Sequence, residues 1–456
     1  MLRDYGKTIE LIENFIQKED TDKLKNFLQG VFPTDIAYLT SHIDEDYNEA
    51  FLNEVRQLSN LSEILHEMED DEIRNLIQSL DNSQFAPLFA DLDPDDSAKI
   101  ISVLPDELKD RAFSNMKIED SVEAASLLRY NDEAAGRIMT TEYFCIHEKA
   151  TVLEAFNALK ESHDAELIYY LYLIDDHQHL VGVSSLRDLL TKPNHFAMKD
   201  IMQNEIISIP VTMDQEKVAS VVERYNLMAV PVVDERHKLV GIITVDDVID
   251  IIRSEATEDI MKLAGTTEEE FSLQSPYKGF LRRMPWLLVS FIGGMLTIQS
   301  NLFFSTKIAH IELMAFITII AGMGGNIASQ SSTIVVRGLA TGKILVTELW
   351  EVLIKEVSIG VLLGIFFGIL LGIVSALQFQ DFSIIGISVA IGMLSSMIIA
   401  ATIGSLMPII FQRLHIDPAV ATGPFVSTTI DNLGLLSYFG TTLVILKFLG
   451  WYLHPP

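Results

Sequence analysis

The sequence lacks several features that would point to a secreted protein or to an enzyme. Cys145 is the only cysteine among 456 residues, so no disulfide can form within the chain and nothing indicates an oxidising compartment. Residues 1–10 contain no long apolar run, so we expect no signal peptide. A phosphate-binding loop, a zinc-ligand spacing and a nucleophile beside a base are all missing, and the sequence therefore predicts no enzyme.

The chain also lacks a basic surface of the kind that binds nucleic acid, because its formal charge is −30. This charge is unevenly distributed. Residues 276–456 hold seven acidic and nine basic side chains, a net charge of +2, whereas residues 1–275 hold the other 56 acidic and 24 basic side chains, a net charge of −32. The sequence thus predicts an acidic cytoplasmic half joined to a membrane half. Clustered carboxylates favour hard cations as partners.

Five apolar segments in the second half are each long enough to cross the roughly 30 Å hydrocarbon layer of a bilayer. They are residues 285–304, 313–336, 357–377, 384–411 and 419–446. Basic residues fall on alternate connecting loops, namely Arg282, Arg283, Arg337, Lys343 and Arg413. The positive-inside rule then predicts a multi-pass protein of the cell membrane, with the N-terminal domains in the cytoplasm and the C-terminus outside.

One carboxylate, Asp431, lies well inside an apolar segment. It is the only ionisable side chain of residues 419–446, and a charge in hydrocarbon costs roughly 2.5 to 3.5 kcal/mol. In a helix that begins near Pro424, Ser427 and Thr428 share the face of Asp431, and this polar stripe predicts a pore wall. Since no segment contains Lys or Arg, the missing counter-charge is predicted to be the transported cation.

The second apolar segment contains small and polar residues between Gly322 and Thr333. Small residues allow helices to approach closely. Asn326 and Gln330, four residues apart, could equally present amide oxygens to a hydrated ion, and both interpretations stay open. The glycines of the third segment predict helix packing alone; they are Gly360, Gly364, Gly368 and Gly372.

The first 57 residues have the apolar spacing of amphipathic helix. From about residue 61, an apolar residue followed by a turn recurs at a step of 12, which predicts short helices. Helices this short bury a face only by stacking, so we expect a superhelical array of either hand. The acids at the loop ends are either helix caps or cation contacts at a domain interface; they are Asp91, Asp93, Asp95 and Asp96.

A second repeat follows, in which residues 172–188 match residues 231–247 at an offset of 59. Each copy is predicted to form a strand, an Asp-centred turn, a second strand and a helix capped by Ser or Thr. The pair resembles tandem CBS domains. Because such domains often bind adenine nucleotides, the resemblance implies ATP or a related nucleotide as a ligand; the alternative is plain helix caps with solvated acids. The residues concerned are Ser185, Arg187, Asp188, Thr244, Asp246 and Asp247.

The acids Glu255, Glu258 and Asp259 stand on one face of the helix that leads from the second copy towards the membrane. Like charges at this spacing destabilise a helix unless a counter-ion lies between them. A solvated acidic face is the ordinary explanation. The position beside the membrane favours an ion-bridging role slightly.

The order of helical repeat, CBS pair, acidic helix and five apolar segments resembles the MgtE magnesium channel family over nearly the whole chain. The most specific parts are Gly324-Gly-Asn326 with Gln330, Asp417-Pro-Ala and Asp431-Asn-Leu-Gly434. Ala328 departs from the pattern, because the family often has glycine there. In the CBS pair, Tyr172 stands where the second copy has Pro231.

The resemblance implies a homodimer with a pore on its twofold axis, a central Mg²⁺ site at Asp431 and a cytoplasmic entrance at Asp417. It also implies that Glu255, Glu258 and Asp259 lie on a plug helix. Acids that sense cytosolic Mg²⁺ are implied at Asp91, Asp95, Asp214, Glu216, Asp246, Asp247 and Asp250.

We therefore expect a multi-domain membrane protein. The predicted parts are a helical superhelical N-domain (1–134), two α/β CBS domains (135–198 and 199–253), a plug helix (254–283) and a five-helix transmembrane domain (284–456). The predicted function is a Mg²⁺-selective uptake channel that cytosolic Mg²⁺ closes by bridging acidic residues. Two alternatives remain open, a transporter of Co²⁺, Ni²⁺ or Zn²⁺ and a membrane-tethered nucleotide sensor.

Overall fold

The structure, a computed structural model, describes residues 5–162, 169–267, 276–308, 311–344, 349–380, 382–421 and 423–448. The chain divides into two compact units, Met1–Ile252 and Arg253–Pro456. Each unit has its own hydrophobic core.

The first unit begins with short helices. They are α1 (Tyr5–Gln17), α2 (Thr21–Leu28), α3 (Pro33–Thr40), α4 (Glu45–Val55), α5 (Leu61–His66), α6 (Asp70–Gln78), α7 (Asn82–Asp91), α8 (Pro94–Val103), α9 (Asp106–Asn115), α10 (Ile118–Leu127) and α11 (Ala135–Ile138). The amphipathic stretch predicted over the first 57 residues is divided into four of these helices. Glu19, with a φ of 53°, turns the chain after α1, and Pro33 begins α3.

The step of 12 recurs in the helix starts, because α6 to α10 begin at residues 70, 82, 94, 106 and 118. Each helix packs on the second one along the chain, as α6 does on α8 and α7 on α9. Ile77, Phe89 and Ile101 are buried between these layers. The stacking of short helices into an array is therefore as predicted. Asp93 occupies the N-cap position of α8.

The two copies of the second repeat have the same topology. In each three-stranded sheet the middle strand pairs in parallel with the first strand and antiparallel with the third. The first copy contains β1 (Cys145–His147), α12 (Val152–Glu161), β2 (Tyr170–Ile174), β3 (Leu180–Ser185) and α13 (Leu186–Thr191). The second contains β4 (Ile209–Pro210), α14 (Gln215–Tyr225), β5 (Ala229–Val233), β6 (Leu239–Thr244) and α15 (Val245–Ala264).

Asp-centred turns join the paired strands, as predicted. Asp175 accepts hydrogen bonds from the backbone N–H groups of His177 and His179, each at 2.8 Å. Asp234 accepts the equivalent bonds from Arg236 and Lys238 at 2.8 and 2.9 Å. A carboxylate that accepts from the turn backbone fixes the turn without any distant contact.

The segment before the first strand of each copy packs on the other copy. Met139, which precedes β1, packs on Gly241 of the second copy, and Met202, which precedes β4, packs on Gly182 of the first copy. A β-carbon at Gly182 would lie 2.2 Å from the sulfur of Met202, so a larger residue does not fit. Thr140 and Ile242 also exchange two backbone hydrogen bonds, at 2.9 and 3.0 Å.

The described part of the second unit contains five helices that are long and apolar enough to cross a membrane. They are α16 (Pro276–Ser305), α17 (Ile317–Ala340), α18 (Leu349–Phe379), α19 (Ile387–Arg413) and α20 (Pro424–Phe448). Short turns at Ile311–Phe316, Phe382–Gly386 and Pro418–Ala421 precede α17, α19 and α20. These helices match the five predicted apolar segments.

Glycines set the helix spacing in this unit, as predicted for the third segment. A β-carbon at Gly360, Gly364, Gly368 or Gly372 of α18 would lie 2.6 to 2.8 Å from atoms of α19 or of the turn before it. A β-carbon at Gly404 of α19 would lie 2.5 Å from the carbonyl oxygen of Ala328. The close approach that a glycine at position 328 would allow is thus provided by Gly404.

Candidate functional site

Asp431 lies in the second turn of α20, the last membrane helix, which begins at Pro424 as predicted. Its side chain is half-buried. Among the described residues, no hydrogen bond or salt bridge to this carboxylate is present. Asp431 is therefore a carboxylate within a membrane helix for which the described residues provide no counter-charge.

The neighbours of Asp431 on α20 differ in what they contact. Ser427 is exposed, whereas Thr428 packs on Gly293 of α16 so closely that a β-carbon there would lie 1.7 Å from its methyl group. Asn432 donates to the carbonyl oxygen of Gly293 at 3.1 Å and accepts from Thr297 at 3.2 Å. Thr428 and Asn432 therefore fix α20 against α16, and Ser427 is the hydroxyl that stays accessible beside Asp431.

A polar stripe runs along the exposed face of α17. Asn326, Ser329, Gln330 and Thr333 are all exposed, and they recur at the spacing of one helix face. The opposite face of α17 is buried against α19 and α20. Exposed amides and hydroxyls on a membrane helix need water, an ion or another protein surface as a partner.

Behind this stripe, α18 contributes a buried carboxylate that the sequence prediction missed. Glu356 is 3% exposed, and its Oε2 accepts a hydrogen bond from the Ser331 hydroxyl of α17 at 2.8 Å. Ser331 itself is 4% exposed. The bond joins α18 to the helix that carries Asn326 and Gln330.

The acids Glu258 and Asp259 meet Asp417 around two basic residues. Lys262 of α15 lies 2.6 Å from Asp417 Oδ2 and 2.5 Å from Glu258 Oε1. Arg337 of α17 lies 3.8 Å from Asp259 Oδ2. We call these five residues the mouth cluster. They attach the end of α15 to the membrane helices.

The electrostatics of the mouth cluster follow from this pairing. Burial, followed by the charge of Asp417, raises the pKa of Asp259, and Arg337 offsets part of the effect. Burial lowers the pKa of Lys262, but the hydrogen bonds to Asp417 and Glu258 outweigh burial and raise it. Asp417 also accepts from the backbone N–H of Ala419 at 2.8 Å. Lys262 is therefore a charged, doubly paired ammonium group.

Gly423 explains how the end of α15 comes this close. A β-carbon at Gly423 would lie 3.2 Å from the carbonyl oxygen of Leu263. A larger residue before α20 would therefore require α15 to shift by a few tenths of an ångström. Glu255, on the same face as the acids of the mouth cluster, is half-buried.

In the first unit, two of the predicted sensing acids come together. Burial raises the pKa of Asp95, at the start of α8, to about 7, and the charges of Asp96 and Asp247 add to this rise. Burial also raises the pKa of Asp247. His66 Nδ1 lies 2.6 Å from Asp96 Oδ1, and this hydrogen bond raises the pKa of His66 to about 9. A divalent cation at Asp95 and Asp247 would relieve the repulsion between them.

The remaining sensing acids are placed separately. Asp214 caps α14 by accepting from the N–H of Glu216 at 3.0 Å, and Glu216 is exposed in the first turn. Asp246 and Asp250 are exposed on α15. Asp91 is the last residue of α7, and its side chain lies outside the described residues. Within the described residues, no three carboxylates or histidines converge as a metal-binding group.

The predicted nucleotide residues stand at helix starts, where Ser or Thr caps were expected. The Ser185 hydroxyl accepts from the N–H of Asp188 at 3.1 Å and donates to its carboxylate at 2.6 Å. The buried Thr244 hydroxyl donates to Asp247 at 2.7 Å. Arg187 is exposed. The cap at Ser185 is confirmed, and the nucleotide site stays a prediction.

Known families match the chain in the same order as these parts. The MgtE intracellular N domain matches residues 11–133, and CBS domains match residues 135–194 and 198–254. MgtE, described as a divalent cation transporter, matches residues 317–441. The resemblance to tandem CBS domains is confirmed.

Curated relatives match over most of their length. The magnesium transporter MgtE of Bacillus subtilis is 31% identical over 94% of this chain and 96% of its own. That of Thermus thermophilus is 31% identical over 96% of this chain and 98% of its own. This chain belongs to the MgtE family of divalent cation transporters. The Enterococcus faecalis member is 36% identical over 72% of this chain and 73% of its own.

Two solved structures also match. The soluble part of a magnesium transporter is 31% identical, with a TM-score of 0.48, and covers 55% of this chain and 99% of its own. The cytosolic domain of the Mg²⁺ channel MgtE in complex with ATP is 30% identical, with a TM-score of 0.49, and covers 53% of this chain and 98% of its own.

MgtE membership confirms the resemblance drawn from Asn326, Gln330 and Asp431, but Lys262 and Glu356 were missed. Glu258 and Lys262 are four residues apart, so their ion pair could have been predicted from the helix spacing. The contact of Lys262 with Asp417 spans 155 residues and had no local signal. Glu356 was missed because it immediately precedes the apolar segment that begins at residue 357.

Proposed function

We propose that this MgtE-family protein is a homodimeric Mg²⁺ channel for magnesium uptake across the cell membrane. The observation that carries the proposal is Asp431, a carboxylate in a membrane helix with no ion-pair or hydrogen-bond partner among the described residues. Three curated relatives are named magnesium transporters, which supports Mg²⁺ as the ion.

The chemistry of Mg²⁺ fits this arrangement. Mg²⁺ gives up its water reluctantly, so a site with few carboxylates can attract the hydrated ion while hydroxyl and amide groups bind its waters. Two Asp431 side chains, one from each protomer, neutralise the charge of one ion. Ser427 and the stripe formed by Asn326 and Gln330 supply the water-binding groups.

The exposed stripe on α17 also supports the homodimer. Amide and hydroxyl groups are costly when they face lipid, and a second copy would enclose them around a water-filled path. The five membrane segments contain no Cys or His, which disfavours Co²⁺, Ni²⁺ or Zn²⁺ as the preferred ion. Family membership favours transport over a membrane-tethered sensor.

Cytosolic Mg²⁺ closes the channel by bridging acids. The mouth cluster holds α15 against the membrane helices, and Mg²⁺ at Glu255, Glu258 and Asp259 adds to that contact. Shifting the equilibrium between the open and the closed channel from 1:99 to 99:1 requires about 5.5 kcal/mol. Sites in the first unit must therefore contribute as well. The acids at those sites are Asp91, Asp95, Asp214, Glu216, Asp246, Asp247 and Asp250.

The basic residues on alternate loops support a cytoplasmic first unit and an external C-terminus. Arg337 and Arg413 end α17 and α19 on the proposed cytoplasmic side. ATP or another adenine nucleotide is proposed to tune the gate from the CBS pair, through Arg187, Asp188 and Thr244.

Mg²⁺ influx into proteoliposomes tests the pore. We expect Asp431→Ala to reduce influx at least about tenfold, because the carboxylate that attracts the ion is lost. The matched control is Glu351→Gln, an exposed acid of α18, which should leave influx unchanged. Undiminished influx through a folded Asp431→Ala protein would remove the pore assignment.

A further inference from the structure

Glu356 is the only charged side chain that the described part of the second unit buries. Taking a carboxylate out of water costs several kcal/mol unless a cation or several donors compensate. No basic group of the described residues lies within ion-pair distance of Glu356. Its hydrogen-bond donor there is the hydroxyl of Ser331, at 2.8 Å. A leucine at this place would pack at a lower cost, so the carboxylate has a use other than stability.

The hydrogen bond between Ser331 and Glu356 restrains the rotation of α17 about its axis. Each residue of an α-helix advances about 100°, so Ser331 lies about 140° around the helix from Asn326 and about 100° from Gln330. Ser331 therefore stands on the buried face, and the two amides stand on the exposed one. Fixing the buried face fixes the direction of the exposed amides.

Apart from this hydrogen bond, α18 makes few contacts with α17. The main neighbour of α18 is α19, against which its glycines pack. A hydroxyl that donates to a carboxylate forms a stronger hydrogen bond than a neutral pair does. The next residue, Ser332, is also buried, and its hydroxyl has no partner among the described residues. Ser331 is thus the hydroxyl that holds α17 in register with α18.

We propose that Glu356 is a positioning residue that, through Ser331, orients Asn326 and Gln330 towards the ion path. This inference rests on the proposed channel function. Without the bond, chiefly the packing on α19 and α20 sets the rotation of α17, and we expect the two amides to turn away from the ion path. The ion path then loses amide groups that bind the waters of Mg²⁺.

Cysteine accessibility reports this rotation directly. Cys145 is the only native cysteine, so Cys145→Ser gives a cysteine-free parent. Asn326→Cys or Gln330→Cys is added, and its reaction with a charged, water-soluble methanethiosulfonate is timed in proteoliposomes with reagent on both sides. Each is combined with Glu356→Met, which removes the acceptor, or with Glu356→Gln, which keeps it.

We expect Glu356→Met to slow the modification of Gln330→Cys at least fivefold and to raise the Mg²⁺ concentration for half-maximal influx. Glu356→Gln should restore both values to within twofold of the parent. The matched control is Glu351→Met, since Glu351 is an exposed acid of the same helix. It should change neither value. If Glu356→Met does not fold, Ser331→Ala removes the donor with a smaller change and should give the same slowing.

The outcomes separate the two proposals. If both cysteines react in the parent and Glu356→Met or Ser331→Ala leaves their rates unchanged, the positioning role is wrong and the channel proposal is unaffected. A Glu356→Gln protein as slow as Glu356→Met also overturns the role, because the acceptor alone would not suffice. Cysteines that do not react in the parent contradict the proposed ion path, and the positioning role falls with it.

Discussion

Asp431 and Asp417 are both carboxylates of the second unit, but their surroundings differ. Asp431 has no counter-charge among the described residues of its own chain. Asp417 has one built in, because the ammonium group of Lys262 lies 2.6 Å away and also contacts Glu258. The first arrangement leaves a charge for a mobile ion to satisfy. The second satisfies the charge with a side chain of the proposed gate.

In the proposed channel, this difference separates the residue that conducts the ion from the residue that helps to close the pore. A site that must release its ion cannot be neutralised permanently, whereas a closing contact gains from a tethered cation. Each pair in the mouth cluster is partly exposed, so each contributes only about 0 to 1 kcal/mol. Under the proposed gating, Lys262 alone therefore favours closure only weakly, and Mg²⁺ at the neighbouring acids supplies the remainder.

The largest expected effect comes from removing the acids that Mg²⁺ bridges. We expect the triple variant Glu255→Gln, Glu258→Gln and Asp259→Asn to raise the internal Mg²⁺ concentration for half-closure at least about tenfold, because amides keep the size but lose the charge. Currents from inside-out patches over a Mg²⁺ titration measure this. The control replaces the exposed acids Glu107 and Glu119 by Gln. Equal Mg²⁺ sensitivity in all three proteins would exclude the plug role.

A smaller effect is expected from removing the built-in cation. Lys262→Met loses two partly exposed ion pairs, together on the order of 1 kcal/mol, which is about fivefold in an equilibrium. Influx without internal Mg²⁺ should therefore rise two- to fivefold, while saturating Mg²⁺ should still close the channel. Lys278→Met, at an exposed lysine of α16, is the control. A Lys262→Met protein with unchanged influx in the absence of Mg²⁺ would show that the ion pairs do not hold the gate.

Local patterns made most of the fold predictable. The step of 12 in the helices and the turns at Asp175 and Asp234 depend on neighbours within a few residues, so the sequence contains the whole signal. The position of Asp431 was predictable for a similar reason, since helix α20 begins at a proline and carries one charge.

The mouth cluster and Glu356 were not predictable in the same way. The contact between Lys262 and Asp417 exists because Gly423 lets α15 approach, which only a folded chain reveals. Glu356 and Ser331 lie on different helices, 25 residues apart, and their pairing depends on how α17 and α18 are rotated. Charge pairing between helices therefore could not be predicted from the sequence, although the charged residues themselves could be identified in it.

The smallest effect is expected in the first unit, on the pH dependence of its stability. There His66 provides a counter-charge for Asp96. The folded-state pKa of His66, about 9, exceeds the ordinary value of 6.5, so its pairing with Asp96 stabilises the fold fully below about pH 6.5 and is lost as the pH rises through 9. The His66 side chain is 41% exposed, so we reduce the contribution to about 1 kcal/mol.

Hydrogen exchange of the full chain without Mg²⁺ measures this contribution. After correction for intrinsic rates, protection of α5 and α8 should fall about fivefold between pH 6.5 and pH 9.5. His66→Gln should remove most of this change, and His42→Gln, at an exposed histidine, should keep it. Burial raises the pKa of Asp95 to about 7, so the stability that depends on its proton falls between about pH 4 and 7, and the exchange is followed over this range as well. A fall confined to that lower range would therefore assign the effect to Asp95 and exclude His66 as the counter-charge.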